Sequence, residues 1–287
     1  MDVSYNNVIA LSAEFGNAAP HHLYALIDHG GHPGLTGHLN KFKVAWSSLF
    51  QGSRDEGALE VAPILVPIRT AHSLAVSRSC MTPIFERARY SSSMTFLHSP
   101  LDLQALNRRL AVRLDVSLPD GVEMLLRFFD GRVFESLMNT LSPSQKVAFL
   151  SPARAWWWVD RAGQVQLQTS EFLETDSPEI PLGLTSTQEA ALIDASEIDQ
   201  VAMLLEAVMP ANFEALVGSD RVSFLRKNIA AAHSYRIVSP NDVTLFCTLA
   251  LTHGDGFEHR TPWVQHFEKV NSGQTSFYDV LQSIAVE

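Results

Sequence analysis

The 287-residue chain has two cysteines, no long apolar run and, between Arg161 and Arg221, neither lysine nor arginine. Cys80 and Cys247 stand 167 positions apart, which excludes a disulfide framework and does not fit the spacing of metal ligands. No apolar stretch approaches the roughly 18–20 residues of a membrane-spanning helix. The opening, MDVSYNNVIALSAEF, carries acid where a signal peptide carries base, and its apolar stretch is short. The expectation is a soluble, cytoplasmic protein with no membrane partner. Phosphate-cradling glycine motifs, G-x-G-x-x-G or G-x-x-x-x-G-K, are missing, and so is the G-x-S-x-G elbow of an α/β-hydrolase. No cofactor is expected.

What is present is apolar bulk and acid. Hydrophobic residues make up 46% of the chain and charged residues 18%, a composition that excludes a mainly disordered protein. The net charge of −10, from 21 basic and 31 acidic residues, is unevenly spread. Residues 1–170 hold 15 Lys/Arg and 14 Asp/Glu, while residues 171–287 hold 6 and 17. Such an asymmetry argues for two bodies, and it counts against nucleic acid as a partner of the acidic one.

The first half alternates strand and helix patterns. Leu23–Asp28, Ile64–Ile68, Ser92–Leu97, Glu123–Phe129 and the pair Ala155–Asp160 and Val165–Thr169 read as strands. The last two read as a hairpin across Arg161-Ala162-Gly163. Pro67 lacks a ladder donor and favours an edge or strand end. The spacing of Leu39, Phe42, Trp46, Leu49 and Phe50 predicts one helical stripe closed by Gly52. A second helix is expected after Ser99-Pro100, with Ser99 as its cap, and a third through Phe134, Leu137, Met138 and Leu141. Thr169–Pro181 reads as a linker. Beyond it come helices over Ser186–Met209, Arg221–Ala232 and Ser239–Gly254, with one or two shorter ones to follow and no strand required. The predicted architecture is an α/β or α+β lobe with a mixed sheet, residues 1–170, followed by an all-helical acidic lobe, residues 171–287.

Residues that carry chemistry are few. His21, His22, His29, His32 and His38 cluster near the N-terminus, but Asp28-His29-Gly30-Gly31-His32 falls at a strand-to-turn junction where histidines are normally solvated. Cys80 and Cys247 read as small packing residues. Trp156, Trp157 and Trp158 on one strand put two indoles on one face and one on the other. Either both faces are covered, or one is left for a protein partner, where tryptophan is enriched. Arg127, Asp130 and Arg132 in LRFFDGRVF read either as an internal ion-pair network or as a phosphate or carboxylate site.

The order LYALID, SSLFQGSRDEGALEVAPILVPI, SSSMTFLHSPLDLQALNRRLAVRLDVSLPDG, LLRFFDGRVFESLMNTLSP and SPARAWWWVDRAG resembles the adaptor-chaperone family of the bacterial type VI secretion system, the VgrG-associated Tap or Tec adaptors. The resemblance spans residues 21–165, and LFCTLALTHGDGF agrees more loosely. Arg127, Phe128, Asp130 and Arg132 occupy the family's R-F-x-D region. There the family commonly has proline after the aspartate and this chain has Gly131. The resemblance implies a non-enzymatic cytoplasmic protein that binds a toxic effector, often near its N-terminal region, and helps load it onto the VgrG spike. A cleft between the two lobes is the expected grip, by helix-in-groove anchoring. An immunity protein with an acidic face, and a hydrolase or metal enzyme using the N-terminal histidines, are the alternatives.

Overall fold

In the computed structural model, which describes residues 8–10, 21–70 and 74–284, the chain divides into two compact units after Leu192. Most of the opening stretch MDVSYNNVIALSAEF lies outside the described residues. The first unit is built on a six-stranded antiparallel sheet of order β2-β3-β1-β4-β7-β8. Its strands are β1 (His22–Asp28), β2 (Ser47–Ser48), β3 (Pro63–Arg69), β4 (Met94–Ser99), β7 (Ala155–Val159) and β8 (Val165–Thr169). The predicted Pro67 lies inside β3, yet β2 pairs only Ile64 and Leu65, so the proline stands beyond β2's reach. Its missing donor therefore costs no ladder bond on that side.

Both faces of this sheet are buried. Tyr24, Leu26, Leu65, Leu97, Trp156 and Trp158 enter one core, and Ala25, Ile27, Val66, Phe96, Trp157 and Val159 enter the other. Helices α1 (Leu35–Lys41) and α2 (Arg78–Ser91) cover the second core through Leu35, Leu39, Met81, Ile84 and Phe85. Helices α3 (Leu103–Ala111), α4 (Gly131–Thr140) and α5 (Pro143–Leu150) cover the first through Leu106, Leu110, Phe134, Leu137 and Phe149. Double coverage explains why the strands read as unbroken apolar runs rather than as alternating ones.

Three expectations need correction. The Leu39–Phe50 stripe is not one helix: α1 stops at Lys41, and Lys43 takes φ +55° as the chain reverses. Leu39 consequently lies in one core and Leu49 and Phe50 in the other. Glu123–Phe129 is strand only over β6 (Glu123–Leu125), which pairs with β5 (Asp115–Ser117). Phe128 and Phe129 are instead buried in a turn closed by Asp130 N donating to the Arg127 carbonyl at 3.0 Å. Finally, Ser99 ends β4 and gives its hydroxyl to the Pro152 carbonyl at 2.6 Å. The cap of α3 is Asp102, whose carboxylate accepts from Ala105 N at 2.8 Å.

The stretch Thr169–Pro181 does not separate the units. It returns to the first unit and leads into β9 (Leu182–Gly183), which runs parallel to β5 and completes a small mixed sheet. The second unit, from Ile193, is helical. The long α6 (Ser186–Val208) crosses the boundary and is followed by α7 (Pro210–Glu214), α8 (Gly218–Ser234), α9 (Pro240–His253), α10 (Trp263–Asn271) and α11 (Phe277–Ile284). Ser239 caps α9 as its sequence predicts, accepting from Asp242 N at 3.2 Å. Phe213, Phe246, Phe257, Trp263, Phe267 and Phe277 form this unit's core.

Gly131, at the start of α4, donates its N–H to the Ser92 carbonyl at 2.8 Å, and a Cβ there would stand 2.7 Å from the Val159 carbonyl oxygen. Gly131→Ala is expected to lower stability by about 1–3 kcal/mol through overpacking. Trp156→Ala, which empties the centre of the first core, is expected to lower it by about 3–5 kcal/mol. Urea unfolding monitored by circular dichroism checks both, and a midpoint unchanged in either variant contradicts this packing.

Candidate functional site

The R-F-x-D region ties the strand layer to α4. Asp130 accepts from the Arg132 backbone N at 2.9 Å, capping the helix, while Arg132 reaches back with Nε at 3.0 Å and Nη2 at 2.7 Å. Arg127 Nη2 donates to Asp28 Oδ2 at 2.9 Å, and its guanidinium lies 5.5 Å from the Phe129 ring centre. Asp28 Oδ1 in turn accepts from Gly30 N at 3.0 Å. Phe128 is buried edge-on to Phe149 and Trp156. Each carboxylate of the set thus already has an arginine, and Arg127 is the guanidinium most open to water, 53% exposed.

The tryptophans are buried on both faces of β7, so the reading that leaves one face for a partner does not describe this surface. Trp156 stacks on Phe134 at 5.3 Å, Trp158 meets the same ring tilted at 4.9 Å, and Trp157 lies on the opposite side against the α2 core. The sheet is covered twice, which leaves no open tryptophan face.

The histidines are not solvated either. His29 and His32 are buried, with His29 Nδ1 3.3 Å from the Leu59 carbonyl and His32 Nε2 2.8 Å from the Ser93 hydroxyl. His38 Nε2 meets the Cys80 carbonyl at 2.9 Å. Burial, with the charges of Arg87 and His29 adding, brings His32 down to about 4. Burial does the same to His98, again to about 4, helped by His21 and Arg154. Among the described residues no group of three His, Cys, Asp or Glu side chains is placed to hold a metal ion. Burial pushes the Cys80 thiol up and the Cys247 thiol up to about 12, so neither is a ready nucleophile.

The most buried charge is one the sequence pattern does not single out. Arg113 on the turn after α3 is fully enclosed, donating to the carbonyls of Phe149 at 2.7 Å, Ala148 at 3.0 Å and Arg109, and to Asp176 Oδ1 at 2.6 Å. Arg109 joins it at Asp176 Oδ1 with Nε at 2.9 Å and Nη2 at 2.7 Å, and gives Nη1 to the Leu173 carbonyl at 2.6 Å. Burial alone would raise the Asp176 carboxyl, but the two guanidinium partners outweigh it and hold it below 3.8. What hint the sequence carries is a like-charged pair four residues apart, Arg109 on α3 and Arg113 on the turn after it, which calls for a shared counter-charge.

The most exposed apolar side chains belong to the second unit. Among the described residues, every large apolar side chain more than 60% exposed lies there: Ile193, Met203, Val208, Val217, Val238 and Tyr278. An open groove of about 380 Å³ runs between the start of α8 and the end of α9, with Leu216, Phe224, Ala250 and Leu251 as its apolar lining and Asp220, Ser223 and Asp255 on its polar side. Asp255 accepts from Lys227 Nζ at 2.9 Å and Asn228 Nδ2 at 3.0 Å. Asp220 is exposed in the first turn of α8. The groove thus sets four apolar side chains beside two carboxylates, of which Asp255 is already engaged by Lys227 and Asn228.

Two outcomes are expected. Asp176→Asn leaves Arg113 buried with its counter-charge gone and lowers stability by about 3–5 kcal/mol, measured by urea unfolding at neutral pH. His32 and His98 take up protons in the unfolded chain near 6.5 but in the folded chain only near 4. The unfolded state therefore binds more protons across that window, and stability falls as pH drops from 6.5 to 4. Asp176, held low in the folded state, extends the loss below 3.8. A urea midpoint that stays level across that pH window, or a slope that His32→Gln does not flatten, would contradict this account.

Comparison with known proteins finds a partial match. Residues 23–148 match the family described as a domain of unknown function, DUF4123. The matched stretch runs from β1 into α5, takes in Arg127, Phe128, Asp130 and Arg132, and ends before the tryptophan strand and the helical unit. No curated protein matches the chain, and no solved structure does. The match covers 126 of the 287 residues, less than half of the chain.

Proposed function

We propose that this protein is a non-enzymatic adaptor of the type VI secretion system, which binds a toxic effector in the cytoplasm and helps load it onto the VgrG spike. The observation that carries this reading is the match of residues 23–148 to DUF4123, a family associated with type VI secretion effector adaptors. Two features of the chain support it. Asp130, Asp176, His32, Cys80 and Cys247 are held by internal partners or by burial, and among the described residues the large apolar side chains more than 60% exposed all lie in the helical unit. Among the described residues no helix is long and apolar enough to cross a membrane.

The groove beside α8 supplies the chemistry of effector capture. Residues 193–287 hold 6 Lys/Arg against 12 Asp/Glu, so the field around the groove favours a cationic partner. The segment that suits it is an amphipathic helix with an apolar stripe on Leu216, Phe224 and Leu251 and a lysine or arginine at Asp220. Rim charges of this kind act chiefly on association rate and salt dependence.

Affinity purification of the tagged chain from its native cell is the direct test. Co-recovery of one VgrG and its cognate effector is the expected result, with effector recovery reduced by Asp220→Lys and by high salt. Recovery of a toxin whose activity is blocked, with no VgrG and no loss of secretion when the gene is deleted, would replace the adaptor with an immunity protein.

A further inference from the structure

The six-stranded sheet ends on β8, and the hydrogen bonds of its hairpin fix which backbone groups that edge presents. Asp160 N donates to the Gln164 carbonyl and Ser170 N to the Arg154 carbonyl, each at 2.9 Å, at the two ends of the β7–β8 ladder. Antiparallel ladders alternate bonded and non-bonded pairs. Between those ends the bonded pairs are therefore Trp158 with Gln166 and Trp156 with Gln168. Val165, Leu167 and Thr169 occupy the non-bonded positions, so their N–H and C=O groups point away from β7. Among the described residues no strand pairs with that side.

Natural sheet edges are normally blunted by charge, proline or a bulge. Here Gln164–Ser170 (QVQLQTS) contains no charge and no proline, and the β7–β8 register is unbroken. Leu167 is 46% exposed. The Thr169 carbonyl accepts from the neighbouring Gln168 Nε2 at 2.8 Å, a local bond at the surface that a better partner can displace.

We propose that β8 is a self-complementary edge through which two copies of this chain associate antiparallel, about a two-fold axis at Leu167. The outward positions 165, 167 and 169 are symmetric about residue 167. In that register Leu167 faces Leu167 of the second copy and each Val165 faces a Thr169. Every outward N–H then meets an outward C=O, which extends the sheet across both copies. The contact is isologous and closes at two subunits. Charge admits a second copy at this place: residues 1–170, which carry β8, hold 15 Lys/Arg and 14 Asp/Glu, and Gln164–Ser170 is uncharged, so two copies meet there without like-charge repulsion. A five-residue strand buries less than the roughly 1,600 Å² of a standard interface, so the dimer is a weak, micromolar one. This inference is independent of the secretion reading, because it uses only the sheet edge.

Sedimentation equilibrium of the purified full chain, from about 1 to about 200 µM, covers the range of a weak dimer. The expected mass rises with concentration from 31.7 kDa toward twice that value. Leu167→Lys, which sets like charges face to face on the axis, is expected to stay monomeric throughout. Leu167→Pro removes only an outward donor, leaves the β7 ladder intact, and is expected to do the same. Under mild oxidation Leu167→Cys is expected to cross-link two chains and Gln166→Cys, which faces Gln168 of the other copy, is not. A wild-type chain monomeric over the whole range, a dimer that survives Leu167→Lys, or equal cross-linking of both cysteine variants overturns the proposal. A monomeric chain whose effector recovery is lost with Leu167→Lys would also overturn it, by assigning the edge to a foreign strand.

Discussion

A sheet that is apolar on both faces has to be covered twice, and the first unit is organised around that constraint. β1, β3, β4 and β7 send large side chains alternately into two cores. Helices must therefore arrive on both sides, and short turns must carry the chain from one side to the other. The reversal at Lys43 separates Leu39 from Leu49, and the turn at Arg127–Asp130 delivers α4 beneath Trp156 and Trp158. Gly131 sits where that helix meets the β7 backbone, so its missing side chain follows from the same close packing. Proline at this position, common in the resembling family, would forgo the bond to Ser92 that holds α4 here.

The buried arginine is the second consequence of covering the sheet. Arg113 emerges from α3 into the space between α5 and the returning chain, where water is excluded. Its donors are met by the orphan carbonyls at the end of α5 and by Asp176, so the cation closes a helix end and fastens the 170–181 segment in one step. Burial favours neither charge by itself. The pair is stable because both guanidinium groups converge on one carboxylate and the remaining donors find backbone oxygens. That is why a polar, proline-bearing stretch with the composition of a linker belongs to the first unit.

Much of this was legible in the sequence, and the misses have physical reasons. The helices after Ser186, the Trp156–158 strand and its hairpin carried strong periodicity and clear turn residues, and they stand where expected. Leu39–Phe50 misled because spacings of 3 and 4 also arise when a reversing chain drops side chains into two cores in turn. Phe128 and Phe129 extended an apparent strand because a buried turn is as apolar as a buried strand. Asp176 was invisible, since its value lies in partners 63 and 67 residues away. The loop histidines looked solvated because the sequence does not reveal that Ser93 and Leu59 fold over them.

The position of the acid also changes meaning once the units are known. Counted from residue 171 the acid belongs to a helical lobe, yet the first unit extends to Leu192 and takes four of those carboxylates before α6. The base-free span between Arg161 and Arg221 is thus shared by both units, and Asp176 within it is neutralised internally. Asp220, at the last acidic position of that span, differs in kind: it is exposed, at a helix start, and beside apolar groove residues. A carboxylate in the first turn of a helix faces the positive end of the helix dipole, so it fits the fold without an arginine or lysine of its own. It can then meet an incoming cation without first giving up an internal one, which is the difference between an acid that holds the fold together and one available for recognition.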